Sequence, residues 1–244
     1  SSGIGEAYVR SYAGKPCTLV LVARTTEKLK QLQEELSSEK TTIEIFSMDL
    51  SNEDSATQLY KMLKEKNIQV TTLINNAGFA TKGLFTNCDF EKQHREIMLN
   101  VTFLTEITQY LLKDMLTMNR GTVINIASSA GFNPVPYGAV YSSTKAYVLS
   151  FTQSLAYEYK NTGLRFLAVC PGPTDTNFFA DFQSVDSNMR TPQQVVNTSF
   201  KALKKRKIIC SDGLLAKLQS IMPHILSRKM ALRITGSVGK RSWS

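Results

Sequence analysis

Thr122-Val123-Ile124-Asn125-Ile126-Ala127-Ser128-Ser129-Ala130-Gly131, followed after nine intervening residues by Tyr141-Ser142-Ser143-Thr144-Lys145, carries a hydroxyl, a phenol and an ammonium that can converge on one reacting oxygen. The run from Thr122 to Ala127 reads as a buried parallel strand, and open α/β sheets bind ligands outside the carboxyl ends of their strands. Ser128 therefore falls where a substrate carbonyl would arrive. Residues four apart share a helix face, so Lys145 can lie beside Tyr141. A free phenol titrates near 10, and a neighbouring cation is expected to pull that value toward neutrality, making Tyr141 a usable general acid or base. Ser128, Tyr141 and Lys145 are the catalytic candidates.

Spacing alone does not select them. Tyr60 and Lys64 repeat the Tyr-x-x-x-Lys pattern, and Ser47 precedes Tyr60 by the same interval that separates Ser128 from Tyr141. Context separates the two, because Gln58 to Lys64 has the pattern of a half-buried helix with charges on its outer face. Tyr60 reads as a surface tyrosine.

Working outward, Ser2-Gly3-Ile4-Gly5 is a glycine turn leading into a helix from Glu6 to Ala13, the arrangement that binds a dinucleotide pyrophosphate through backbone N–H groups and the helix dipole. No strand and no earlier glycine precede it in the given chain. Strand Thr18 to Ala23 ends at Arg24, where NADP-binding domains carry an arginine for the 2′-phosphate; a solvated strand-end arginine is the alternative. Helix Thr26 to Leu36 and strand Thr42 to Met48 follow, closed by Asp49-Leu50, with Ser51 and Asp54 resembling a capping pair. Strand Thr71 to Ile74 runs into Asn75-Asn76-Ala77-Gly78, a ligand-approach site or a tight turn. One long amphipathic helix is expected from Phe90 to Met118 with Asn100 on its apolar side, as a functional group or a satisfied core amide. The Tyr141 helix continues to about Lys160, and strand Arg165 to Cys170 gives Pro171-Gly172-Pro173-Thr174-Asp175-Thr176. Phe132 to Tyr137 could wall a pocket, and Phe178, Phe179 and Phe182 could belong to a lid. Thr191-Pro192 starts a helix to Lys204; strand Ile208 to Cys210 follows, then an amphipathic stretch from Leu214 to Ile234 interrupted at Pro223.

At 244 residues the chain fits a single domain, 1–244. Cys17, Cys88, Cys170 and Cys210 lack metal-ligand or disulfide spacing, which suits reduced thiols, a cytoplasmic location and no metal. The net charge of +9 is uneven. Eleven of the 29 Lys and Arg lie from residue 201 onward, against one acid, Asp212. Residues 212–244 read as a basic amphipathic extension, either seated on an anionic membrane surface or packed on the domain through Leu214, Leu218, Ile221 and Ile225.

Taken in order, these motifs resemble the short-chain dehydrogenase/reductase family, and within it an NADP-dependent group of bacterial type with a basic C-terminal tail. The resemblance spans essentially the whole chain. It implies an α/β fold, a Rossmann-type doubly wound parallel sheet of order 3-2-1-4-5-6-7, with strand 1 missing from the given sequence. Residues Ser2, Gly3, Ile4, Gly5, Arg24, Asp49, Leu50, Asn76, Ala77, Gly78, Pro171, Gly172, Thr174 and Thr176 would then hold NADP(H), together with Tyr141 and Lys145. The resemblance also implies hydride exchange with an apolar ketone, aldehyde or secondary alcohol. Tyr141 would be the acid/base, Lys145 would lower its pKa and hold the nicotinamide ribose, Ser128 would bind the substrate oxygen, and Asn100 would complete a proton relay. A homodimer and no nucleic-acid partner are expected. The competing class is a cofactor-binding member without turnover, favoured by the absent first strand. The chain as given is expected to be aggregation-prone and inactive, with about ten further upstream residues in the working protein.

Overall fold

The computed structural model describes residues 2–176, 178 and 189–242. Among the described residues, segments rich in Val, Ile, Leu and Thr form six strands, parallel within each of two sheets, and each is joined to the next by a helical crossover, as parallel pairing requires within a sheet. Strands β1 (Cys17–Ala23) and β2 (Thr41–Ser47) pair in register from Cys17 with Thr41 to Ala23 with Ser47. Strands β3 (Thr72–Asn75), β4 (Gly121–Ile126), β5 (Leu164–Pro171) and β6 (Ile209–Asp212) form a second sheet in the order β3-β4-β5-β6.

Both faces are covered. Successive strand side chains alternate in direction, so Val123 and Phe166 meet helices α3 (Ser55–Glu65) and α5 (Leu104–Thr117) on one face, where Leu59, Leu63, Ile107, Leu111 and Met115 are buried with them. Ile124, Ile126, Leu167 and Val169 point the other way, onto α1 (Gly3–Tyr12) and α7 (Pro192–Lys204), through Ala7, Tyr8, Val195 and Val196. Helix α2 (Thr26–Leu36) covers β1 and β2 through Leu29 and Leu32, and Val9 of α1 joins that cluster. The two sheets are thus tied through shared helices. A cavity of about 1280 Å³ lies between β1 and β3 and reaches their carboxyl ends. The fold is an α/β Rossmann-type arrangement with parallel sheets, and its strand order does not conflict with the order the family implies.

Several local expectations are corrected. Helix α1 begins at Gly3, whose φ of +55° is free for glycine, rather than at Glu6. Ser51 and Asp54 form no capping pair: Asp54 is the α3 N-cap in a left-handed conformation with no side-chain cap bond, while Ser51 turns to Asp49. The helix expected from Phe90 to Met118 is α4 (Phe90–Ile97), a π-helical turn (Met98–Phe103) and α5. Asp212 belongs to the core, not the tail: it is buried at the end of β6 and takes both Arg190 Nε at 3.0 Å and Nη2 at 2.9 Å.

Pro223 does not break the C-terminal segment. It lies inside α8 (Leu214–Ile225), and the interruption falls at Leu226, before α9 (Arg228–Ser242). A proline leaves the carbonyl four residues earlier without its helical donor, and here that carbonyl, Gln219 O, accepts from Asn133 Nδ2 at 2.9 Å. Asn133 is itself buried in the loop after Ser128. Replacing it, Asn133→Ala, strands a carbonyl at a cost of about 1 to 3 kcal/mol. At about 2 to 4 °C per kcal/mol for a chain of this size, differential scanning calorimetry should show Tm falling by several degrees; an unchanged Tm would mean that solvent replaces Asn133 freely.

Candidate active site

The residues singled out from the sequence assemble at the carboxyl ends of the strands. The first turn of α1 sits against the turn after β3, so closely that a Cβ on Gly5 would come within 2.6 Å of Asn76 Nδ2. On its other side Gly3 meets Thr176 of the turn after β5, where Thr174 is buried and its hydroxyl donates to Gly172 O at 3.0 Å. Ile4 packs into the core while Ser2 and Gly5 line the cavity, together with Asn76, Ala77, Gly78, Asp49, Leu50 and Arg24. Ser2 makes no side-chain cap, so the first N–H groups of α1 lack the usual partner and suit a phosphate. A dinucleotide fits this donor set. Asp49 accepts from Ser51 N and Oγ and pairs with Arg95 of α4. Burial would raise the Asp49 carboxyl, but the Ser51 hydrogen bonds and the Arg95 and Arg24 charges outweigh it and hold the group below its ordinary range.

Helix α6 (Ala139–Glu158) delivers Tyr141 and Lys145, both buried, beneath Ser128, which stands just past β4. The Ser128 side chain hydrogen-bonds Tyr141 and accepts from Ala130 N at 3.1 Å. Lys145 Nζ lies 5.8 Å from the Tyr141 ring centroid and donates to Ile126 O at 2.8 Å. Phe178 tilts against Tyr141 with ring centroids 5.6 Å apart. Phe179 and Phe182, the rest of the expected lid, lie outside the described residues.

Electrostatics here runs against the sequence-based expectation. Burial pushes the Tyr141 phenol up to about 12, the Ser128 hydrogen bond only partly offsets this, and the Glu96 carboxylate raises it further. The net shift is upward even with the Lys145 ammonium beside the ring. The same burial pulls the ammonium down to about 8, against the Glu96 charge that favours its protonated form. Desolvation is the dominant effect on both because neither charge faces water.

Asn100 is both buried and engaged. The π turn aims its amide at the loop after β3, where Nδ2 donates to Phe79 O at 3.0 Å and Oδ1 accepts from Phe79 N at 3.3 Å; Nδ2 also reaches Thr144 Oγ1 of α6 at 3.1 Å. A Cβ on Gly78 would lie 2.8 Å from Asn100 Oδ1 and 3.6 Å from Lys145 Nζ. Four residues earlier, Glu96 holds the same loop: its Oε2 accepts from Thr81 N at 2.8 Å and Thr81 Oγ1 at 2.6 Å. Burial raises the Glu96 carboxyl despite those bonds. Sequence reasoning passed over Glu96; its signal was the interval of four from Asn100, which places both on one helix face. It also passed over a buried ladder in which Asn75 Nδ2 donates to Thr108 Oγ1 and Asn125 Oδ1, and Asn125 Nδ2 to Thr152 Oγ1, tying β3 and β4 to α5 and α6.

The twin motif has different surroundings. The Tyr60 phenol lies 3.2 Å from both Asp114 oxygens, Lys64 pairs with Asp114 at 2.8 Å, and Tyr60 stacks on Tyr110.

A family model described as short chain dehydrogenase matches residues 1–186. The chain belongs to the short-chain dehydrogenase family. It is 29% identical over 206 residues to an uncharacterized oxidoreductase of Staphylococcus saprophyticus, an alignment covering 84% of this chain and 88% of that one. Among solved structures it is similar to a short-chain dehydrogenase from Sphingobium yanoikuyae in complex with NADPH, at 28% identity and a TM-score of 0.79 over 90% of this chain and 88% of the other. It is also similar to the bulky-bulky ketone specific alcohol dehydrogenase from Comamonas testosteroni, at 28% identity and a TM-score of 0.76 over 86% and 81%. As a short-chain dehydrogenase the chain is an oxidoreductase that takes a nicotinamide cofactor and a small-molecule substrate. No helix among the described residues is long and apolar enough to cross a membrane.

Proposed function

We propose that the chain is an NADPH-dependent carbonyl reductase for apolar ketones or aldehydes, with Tyr141 as its proton donor. The observation that carries this reading is the buried cluster past β4, where Ser128 hydrogen-bonds the Tyr141 phenol above the Lys145 ammonium. The bound nicotinamide supplies the hydride in reduction, or accepts it in the reverse direction. Ser128 orients the substrate oxygen toward Tyr141. With its pKa raised, Tyr141 stays protonated through the neutral range, and a nascent alkoxide is basic enough to take its proton. The phenolate left behind is stabilised by Lys145 and Ser128; a proton returns to it from the Lys145 ammonium, which regains one from solvent along a relay that Asn100 helps to position. Phe178, tilted against Tyr141, and Phe79, held by Asn100, bring apolar rings to the cluster and favour an apolar substrate.

Arg24 supports the choice of NADPH. It is exposed at the end of β1, lines the cavity with Lys28, and places its charge near Asp49. An arginine hydrogen-bonded to a phosphate contributes about 1.5 to 3 kcal/mol, so NADPH should bind at least about tenfold more tightly than NADH. Fluorescence titration of the full-length protein with both reads this directly, and Arg24→Ala should remove most of the difference. Equal affinities in the parent protein would leave the 2′-phosphate assignment without support. NADPH oxidation with a panel of aryl ketones, alkyl ketones and aldehydes tests the reaction itself: turnover is expected on the apolar carbonyls, and none on any of them would refute the proposal.

A further inference from the structure

The two C-terminal helices turn their apolar rows away from the body of the protein. On α8, Leu214, Leu218, Ile221 and Ile225 fall within one narrow arc opposite Ala216, the one side chain that α8 buries. Leu214 is 75% exposed and Ile225 72%. The expectation that this stripe packs on the domain is therefore corrected. Helix α9 repeats the pattern: its small residues Ala231, Thr235 and Gly239 face inward, Gly239 against Pro136, while Met230, Ile234 and Val238 are exposed. Beside each apolar row runs a polar one of exposed cationic or ionisable side chains, Lys217 and His224 on α8 and Lys229 and Arg233 on α9. From Gly213 onward the chain has six Lys or Arg and no acid.

We propose that α8 and α9 dock this protein flat on an anionic lipid surface, the apolar rows entering the headgroup boundary and the flanking cations meeting lipid phosphates. Helices of 12 and 15 residues, about 18 and 22 Å long, are too short to span a bilayer but suit its interface. The charge pattern favours lipid over a second copy of the chain, because an isologous pairing of this face would set its cations against their own kind with no acid in the segment to balance them. Both helices are anchored on the loop that follows Ser128, α8 through Asn133 and α9 on Pro136.

The test is sedimentation of the full-length protein with vesicles of phosphatidylcholine alone and of phosphatidylcholine with 30% (about one lipid in three) phosphatidylglycerol, at low and high salt. Binding is expected only to the anionic vesicles, weakening as salt rises. Lys217→Ala and Arg233→Ala should each reduce it by about fivefold, the effect of one charge near such a surface. Leu218→Ser with Ile221→Ser should reduce it at least tenfold at unchanged Tm and NADPH affinity, which shows that the fold is intact. Equal binding to both vesicle types, no binding to either, or an oligomer that Leu218→Ser with Ile221→Ser dissociates in sedimentation equilibrium would each overturn the proposal, the last by making the face a contact between copies.

Discussion

Tyr141→Phe is expected to lower kcat for ketone reduction by about 10²- to 10⁴-fold, the range carried by a positioned general acid, while NADPH affinity changes little. The substitution removes one oxygen and keeps the buried ring beside Lys145 and Phe178. Tyr60→Phe is the internal control, since it removes the same atom from a tyrosine with the same lysine spacing. Its phenol meets Asp114 on the α3–α5 surface, so kcat should stay within about twofold. Steady-state kinetics on both variants, with cofactor titrations alongside, separates a chemical from a binding effect. Equal behaviour of the two would contradict the assignment of the proton donor.

Lys145 carries the second large effect. Lys145→Met should also reduce turnover by about 10²-fold or more, because the phenolate formed on proton transfer would have no cation near it. The pH dependence has a defined direction. Since burial pulls the ammonium down to about 8 while Tyr141 holds its proton to about 12, the reductase should be fully charged for catalysis below about 7. Activity should then decline as pH rises through 8, with Lys145 losing its proton. kcat/KM for NADPH at saturating ketone, which reports groups of the free enzyme, should fall about tenfold per pH unit above that point. Lys145→Arg, weaker in activity, should lose this break because a guanidinium stays charged. Glu96→Gln should move the break lower, as it removes the charge that favours the ammonium. A break that persists unchanged in Lys145→Arg belongs to another group.

Much of the fold was legible because local chemistry and tertiary structure agree. Helix α2 has the bounds its pattern implies, and α7 starts at Thr191-Pro192, where a capping box with Gln194 supports the proline at the first helical position. The candidate site was legible as an order of short motifs, and the structure gathers those motifs at the carboxyl ends of the strands. What was not legible depends on burial and distant contacts. A phenol and an ammonium four residues apart suggest a lowered phenol pKa, yet the interior desolvates both, and no spacing rule contains that information. The π turn at Asn100 contains no glycine or proline to mark it, so its sequence reads as one unbroken helix. Pro223 reads as a break until its freed carbonyl is seen to be taken by Asn133, 86 residues earlier. The stripe on α8 reads equally as a core face or a membrane face, because amphipathicity shows that a face is apolar and not what covers it.

The central claim is that this chain passes a hydride between a nicotinamide and a carbonyl carbon with Tyr141 supplying the proton. The most direct measurement uses NADPH deuterated at nicotinamide C4, on either face in parallel reactions, with an aryl ketone turned over by the full-length protein and the alcohol analysed by mass spectrometry. One deuterium on the carbinol carbon from one of the two cofactors, and its loss in Tyr141→Phe but not in Tyr60→Phe, is the result predicted. An alcohol free of deuterium with both cofactors, or deuterium transfer undiminished in Tyr141→Phe, would contradict it.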